Sequence, residues 1–265
     1  MVRLTINGNA VEAEEGTTVL EAARQAGIGI PTLCYHRALA PQGACRLCIV
    51  EVEGPGLDRT VATSCNLKIT NGLVVETDSP LIVEMRKTIL ALVFPDLVSS
   101  PALLSAARGE GTGTKALAAE KEGSCALCGQ CVRVCRDRIG AAALSFGTSG
   151  KNRNRVVEYV VLSKEDCIGC GTCAQVCPVG IITVEDKGAV RRIFRSGKEV
   201  NRVRLIGCES CGTPIATEKF VDSVRFRLSG HPEARVHNLC PECARNHYAA
   251  AMAEGIPVNG GRNES

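Results

Sequence analysis

The chain has 265 residues, of which 45% are hydrophobic but only 3% aromatic, with no tryptophan; one large aromatic core is excluded and several small domains are expected. A formal net charge of +3 gives no support to a nucleic-acid partner, and the longest apolar run, Thr88 to Phe94, is too short to cross a bilayer. Sixteen cysteines stand out, and the opening Met1 to Gly8 reads as a strand rather than a leader, so reduced thiols in the cytoplasm and metal centres as staples are expected in place of a disulfide framework.

Residues 1–78 read as one compact unit. Val2 to Ile6 alternates as a strand, Asn7-Gly8-Asn9 is a turn signal, and Ala10 to Ala13 returns. Thr18 and Glu21 form a capping box ahead of an apolar face of Val19, Leu20, Ala23 and Ala26, with Gly27 at the stop. This order suggests a ubiquitin-like β-grasp. Cys34, Cys45, Cys48 and Cys65 then follow as C-x10-C-x2-C-x16-C. Plant-type 2Fe-2S ferredoxins use C-x4-C-x2-C with a distant fourth cysteine; here the central pair and distant partner are kept and the first gap is longer. A zinc site on the same scaffold is the blander alternative. His36 lies near the first ligand but is not needed, since four thiols are present.

The segments Pro31-Thr-Leu-Cys34-Tyr-His36, Gly43-Ala-Cys45-Arg-Leu-Cys48-Ile-Val-Glu-Val-Glu53 and Ala62-Thr-Ser-Cys65 carry a resemblance. They resemble the N-terminal 2Fe-2S domain of the large iron-sulfur subunit of respiratory complex I and the related subunits of NAD-linked hydrogenases and formate dehydrogenases. The resemblance implies a flavin-bearing, NAD(P)H-binding partner near this domain and a catalytic metal subunit elsewhere in a hetero-oligomer.

Residues 79–122 are expected as a helix and a flexible linker. Ser79 caps, Pro80 takes the first turn, Ile82, Met85, Ile89, Leu92 and Val93 form the apolar face, and Pro95 ends it. Relatives in the resembling family hold a further 4Fe-4S cluster here with a His and three cysteines, whereas residues 79–124 contain neither residue type. Gly109-Glu-Gly-Thr-Gly113 lacks the strand before it and the Gly-Lys-Ser/Thr after it that a nucleotide loop requires.

Residues 123–187 hold two runs, Cys125, Cys128, Cys131, Cys135 and Cys167, Cys170, Cys173, Cys177, each spaced C-x2-C-x2-C-x3-C and the second followed by Pro178. That is the arrangement of a bacterial-ferredoxin-like domain with two 4Fe-4S clusters, in which the fourth cysteine of each run serves the other cluster. One cluster is therefore expected on Cys125, Cys128, Cys131 and Cys177, the other on Cys167, Cys170, Cys173 and Cys135. Zinc at all eight fits poorly, because zinc favours separate C-x2-C pairs. Strands are expected at Ala143 to Phe146, Val156 to Val161 and Ile181 to Val184.

Residues 188–250 are expected as a hairpin, Ala189 to Arg195 and Val200 to Ile206, followed by a four-cysteine knuckle. Arg191, Arg192, Arg195, Lys198, Arg202 and Arg204 give the hairpin a basic face, read as a solvated surface or a dock for an acidic partner. Cys208-Glu-Ser-Cys211 and Cys240-Pro-Glu-Cys243, separated by 28 residues, form a tetrahedral signature for zinc, with a single rubredoxin-like iron or a further cluster as alternatives. They resemble the C-terminal segment of ferredoxin-like subunits in membrane-bound hydrogenase complexes. His237 and His247 stand close but are not required. Residues 251–265 read as a flexible tail.

The fold class is thus α+β in three small domains, every cysteine has a post, and none remains for catalysis. No dinucleotide fingerprint or paired His/carboxylate chemistry is visible. The expected function is an electron-transfer subunit of a cytoplasmic, multisubunit, NAD(P)-linked oxidoreductase with no membrane span of its own. A free-standing ferredoxin shuttle, a succinate dehydrogenase-like subunit and a zinc-ribbon interaction module are the alternatives.

Overall fold

The computed structural model describes residues 1–93, 125–149, 156–230 and 237–253. At the N-terminus, β1 (Val2–Ile6) and β2 (Asn9–Ala13) pair antiparallel around Asn7 and Gly8, both at positive φ, as a tight two-residue hairpin requires. Strands β3 (Ile49–Gly54), β4 (Leu57–Thr63) and β5 (Leu73–Glu76) complete a five-stranded sheet in the order β2-β1-β5-β3-β4. β5 runs parallel to β1 and antiparallel to β3. Alternate side chains Val2, Leu4, Ile6, Val50, Val52, Leu73 and Val75 enter one core, closed by Val19, Leu20, Ala22 and Ala23 of α1 (Val19–Gln25). The Thr18–Glu21 capping box is present in both directions; a cap of this kind is worth about 1 kcal/mol.

Helix α2 (Pro80–Val93) starts where expected, with Ser79 Oγ accepting from the Ile82 N–H. Its buried stripe differs. Ile82, Arg86 and Leu90 are fully buried, whereas Met85 and Leu92 are exposed. Spacing of four places 82, 86 and 90 on one face, and an arginine occupies its centre because the aliphatic stem tolerates burial when its head finds acceptors.

In the second region, α3 (Gln130–Arg133) passes into a π-helical turn, Val134–Ile139, and α4 (Thr172–Gln175) is its counterpart in the second cysteine run. Each short helix follows a left-handed glycine, Gly129 or Gly171. β6 (Leu144–Ser149) and β7 (Val156–Leu162) form a two-stranded sheet. β8 (Ile182–Lys187), β9 (Val190–Arg195), β10 (Lys198–Gly207) and β11 (Pro214–Thr217) form a four-stranded sheet, β11-β10-β9-β8. The expected hairpin is β9–β10, and its boundary at residues 187 and 188 falls in the turn between two paired strands. Helices α5 (Glu218–Leu228) and α6 (Pro241–Ala253) frame the last cysteines. The Gly109–Gly113 segment, the expected linker from residue 94 onward and residues 254–265 lie outside the described residues.

Three of the six basic side chains of the hairpin, Arg191, Arg192 and Arg202, are paired with acids of the same sheet. Arg191 pairs with Asp186 at 2.7 Å, Arg192 with Glu199 at 2.6 Å, and Arg202 with Glu199 at 2.8 Å, while Arg195 donates to the Val160 carbonyl. Among the described residues, no helix is long and apolar enough to cross a membrane.

Candidate metal centres

The first group is assembled by three elements of the N-terminal unit. Cys34 lies in the loop after α1, Cys48 at the entry to β3, and Cys65 just past β4. Cys34, Cys48 and Cys65 are buried and Cys45 is half-buried. The Cys34 N–H points to Cys45 Sγ at 3.4 Å and the Cys45 N–H to Cys34 Sγ at 3.5 Å. Ser64 bonds the Cys48 carbonyl through its N–H at 2.9 Å and its hydroxyl at 2.7 Å, which locks the turn carrying Cys65 beside Cys48. Hydrogen bonding from Cys34 draws the Cys45 thiol down to about 6, and Cys65 draws Cys48 to about 7, while the same pairings push Cys34 and Cys65 up. Four convergent thiols that share protons in this way fit a thiolate-ligated centre, whose formation displaces those protons. His36 is a half-buried neighbour, its Nδ1 accepting from the Ala38 N–H at 3.2 Å.

The second and third groups line two separate cavities. One is walled by Cys125, Cys128, Cys131 and Cys177; the other by Cys135, Cys167, Cys170 and Cys173. Each cavity therefore takes three cysteines from one run and the fourth from the other. Mostly apolar side chains make the rest of the walls, Val160, Ile181 and Ile182 in the first and Val134, Leu144 and Ile193 in the second, with Arg195 also lining the first and Thr172 the second. Burial pushes Cys128 up to about 11 and both Cys131 and Cys173 up to about 12. No carboxylate or imidazole lines either cavity, so the donor set is purely thiolate and suits iron-sulfide cubes better than hard cations.

In the fourth group, the sulfurs of Cys208, Cys211, Cys240 and Cys243 all lie within 4.8 Å of one another. The Cys240 N–H donates to Cys208 Sγ at 3.3 Å and the Cys243 N–H to Cys240 Sγ at 3.4 Å. Main-chain N–H groups of Cys240 and Cys211 bring the Cys208 thiol down to about 6. The knuckle is tight enough that a Cβ on Gly207 would meet the Gly212 carbonyl oxygen at 2.9 Å.

The four groups form one connected series. Cys45 and Cys128 pack against the same buried leucines, Leu33, Leu47 and Leu90, with α2 supplying the last. The two cavities share a core built around Cys131, Cys135 and Cys167. The loop of the second cavity meets the knuckle domain through Gly169, where a Cβ would lie 2.8 Å from the Thr217 methyl. Thr217 Oγ1 also donates to the Ile168 carbonyl, and Lys219 Nζ to the carbonyls of Lys164 and Glu165 at 3.0 and 2.9 Å.

Residues 1–80 match the 2Fe-2S iron-sulfur cluster binding domain, and residues 124–181 and 159–214 match 4Fe-4S dicluster domains. The chain carries iron-sulfur domains of both kinds. It is 33% identical over 208 residues to an NADH-quinone oxidoreductase subunit of Rhizobium meliloti (strain 1021), a match covering 69% of this chain and 24% of the relative. It is 32% identical over 209 residues to the alpha subunit of the NADPH-Fe(3+) oxidoreductase of Geobacter sulfurreducens, with the same 69% and 24% coverage. It is 29% identical over 227 residues to the HndD subunit of the NADP-reducing hydrogenase of Solidesulfovibrio fructosivorans, covering 82% of this chain and 34% of that one. The chain thus spans about a quarter to a third of the length of these relatives.

The residues that join the 2Fe-2S and dicluster domains were not evident from motif spacing. Gln130 Nε2 donates to the Leu33 carbonyl at 2.6 Å and to that of Tyr35 at 3.3 Å. Arg133 donates to the Cys34 carbonyl at 3.1 Å and to that of Ala40, and Arg138 to that of Ala38. One signal was available. The two cysteine runs are internal repeats, and where the first carries buried Gln130 and Arg133 the second carries Thr172 and exposed Gln175.

Proposed function

We propose that the chain is an electron-relay subunit of a multisubunit, NAD(P)-linked oxidoreductase. The observation that carries the reading is the unbroken packing from Cys45 through the shared leucines to Cys128, and on through the joint core of the two cavities. In this reading the N-terminal unit is a β-grasp with 2Fe-2S on Cys34, Cys45, Cys48 and Cys65. The dicluster domain is bacterial-ferredoxin-like, with 4Fe-4S on Cys125, Cys128, Cys131 and Cys177 and on Cys167, Cys170, Cys173 and Cys135. Bound clusters supply one-electron acceptors. The polypeptide holds them in series, surrounds them with Val160, Ile182 and Ile193, and fixes the first to the second through Gln130 and Arg133.

Cys208, Cys211, Cys240 and Cys243 take structural zinc. Four thiolates with N–H···S support and no open ligand position suit a closed tetrahedral site. The names of the relatives, NADH-, NADPH- and NADP-linked and each a subunit, support an NAD(P)H-binding partner; the reading adds that this partner carries flavin, that a catalytic metal subunit takes the other end, and that the complex is cytoplasmic. No nucleic-acid role is included. Anaerobic purification under native conditions tests the reading: co-purification with a flavoprotein is expected, and a monomer that exchanges electrons freely without one would favour the free-standing shuttle.

A further inference from the structure

The relay uses twelve thiols, and beside docking two domains Arg133 places a buried cation at the main chain of the first site. Arg133 is only 6% exposed. It belongs to α3 of the dicluster domain, yet its guanidinium reaches into the N-terminal unit and donates to the carbonyl of Cys34 itself and to that of Ala40. Both hydrogen-bond partners are neutral carbonyls; the acidic group that feels this guanidinium is Asp137, one helical turn on, and its carboxylate is bonded to Arg136 at 2.6 Å. A guanidinium keeps its charge throughout the accessible pH range. A second arginine, Arg86 of α2, is fully buried and donates to the Ile49 carbonyl at 2.6 Å, one residue past Cys48. Asp78 is the acidic side chain nearest in influence to Arg86.

Reduction of a cluster on four thiolates adds one negative charge to a centre that is already anionic. A fixed positive charge at the main chain of a ligand residue favours that added electron, and it does so more strongly in a poorly solvated site than in water. We propose that Arg133 sets the reduction potential of the 2Fe-2S centre by stabilising its reduced state, so that the first carrier acquires its working potential only when the dicluster domain is docked on it. Arg133 is a positioning and charge-supplying residue, not a ligand. The inference rests on the assignment of a 2Fe-2S centre to Cys34, Cys45, Cys48 and Cys65.

The test is an EPR-monitored redox titration of the whole chain, with dithionite supplying the single electron; no bond breaks. Arg133→Gln retains a donor for the Cys34 carbonyl and removes the charge. It is expected to disfavour reduction of the 2Fe-2S centre by about tenfold, which at one electron is a potential lower by about 59 mV. The second 4Fe-4S cluster should move by less than about twofold, and Arg133→Lys should restore the native potential to within about twofold. An unchanged 2Fe-2S potential in Arg133→Gln overturns the proposal, as does an equal fall in Arg133→Lys. Arg133→Met, which keeps the buried stem, serves as a second neutral variant; loss of the 2Fe-2S signal in both neutral variants assigns Arg133 to assembly and overturns the proposal. A wild-type chain without a 2Fe-2S signal removes the site assignment itself, an outcome distinct from an unshifted potential.

Discussion

The guanidinium of Arg133 lies 3.1 Å from the carbonyl oxygen of Cys34, 99 residues earlier in the chain. With Gln130 bonding the carbonyls on either side of it, this contact turns two domains into one scaffold for neighbouring cysteine groups. Loop carbonyls near a metal site need donors, and here the donors come from the neighbouring domain. Spacing between the Cys34–Cys45 group and the Cys125–Cys131 group is thereby set by hydrogen bonds as well as by the leucines Leu33, Leu47 and Leu90.

Gln130→Ala leaves the Leu33 and Tyr35 carbonyls without that donor, at a cost of about 1–3 kcal/mol. Amide hydrogen exchange should then rise selectively in residues 33–40. Unchanged protection there would show that the leucine contact alone holds the domains.

Cys135→Ser is expected to alter the 4Fe-4S cluster assigned to Cys167, Cys170 and Cys173, because Cys135 lines their cavity and not the one beside its own run. Spectra in which only the other cubane changes would refute the crossover.

Cys45→Ser should abolish the 2Fe-2S signal while both cubanes remain reducible, since the dicluster cavities are walled by their own strands and helices. Loss of all three signals would mean that the docking through Arg133 is needed for the dicluster domain to fold.

Gly169→Ala places a methyl group 2.8 Å from the Thr217 Cγ2 at a backbone φ of +70°. Left-handed backbone costs about 1–2 kcal/mol for a residue other than glycine, and the clash adds to it. Thr217→Ser in the same chain removes the opposing methyl while keeping the hydroxyl that bonds Ile168. Partial recovery of the anaerobic denaturation midpoint is expected in the double variant, and strictly additive losses would contradict the contact.

What was legible in the sequence was local. Thr18 and Glu21 are three residues apart, so their reciprocal cap can be read directly, and β1–β2 is marked by Asn7-Gly8. The cysteine runs are legible because each ligand set is mostly a single short segment. Burial of cations was not. Arg86 sits mid-stripe on α2, where a charged residue suggests solvent, and its bond to the Ile49 carbonyl, 37 residues away, is not visible in the spacing. The same shift of face exposes Met85 and Leu92. Helix α5 has a single buried side chain, Val221, too short an apolar stripe to stand out. Pairing of β8 with β9 joins two segments whose compositions suggest separate units.

The most direct test of the relay is iron, sulfide and zinc analysis of anaerobically isolated chain, read together with its EPR spectrum after dithionite reduction. About ten iron and about ten labile sulfide per chain, one zinc, and three distinguishable reduced signals are predicted. Eleven iron without zinc would move the terminal knuckle, on about the same cluster count, to a single iron site. A colourless protein filled with zinc and silent to reductant would contradict the account.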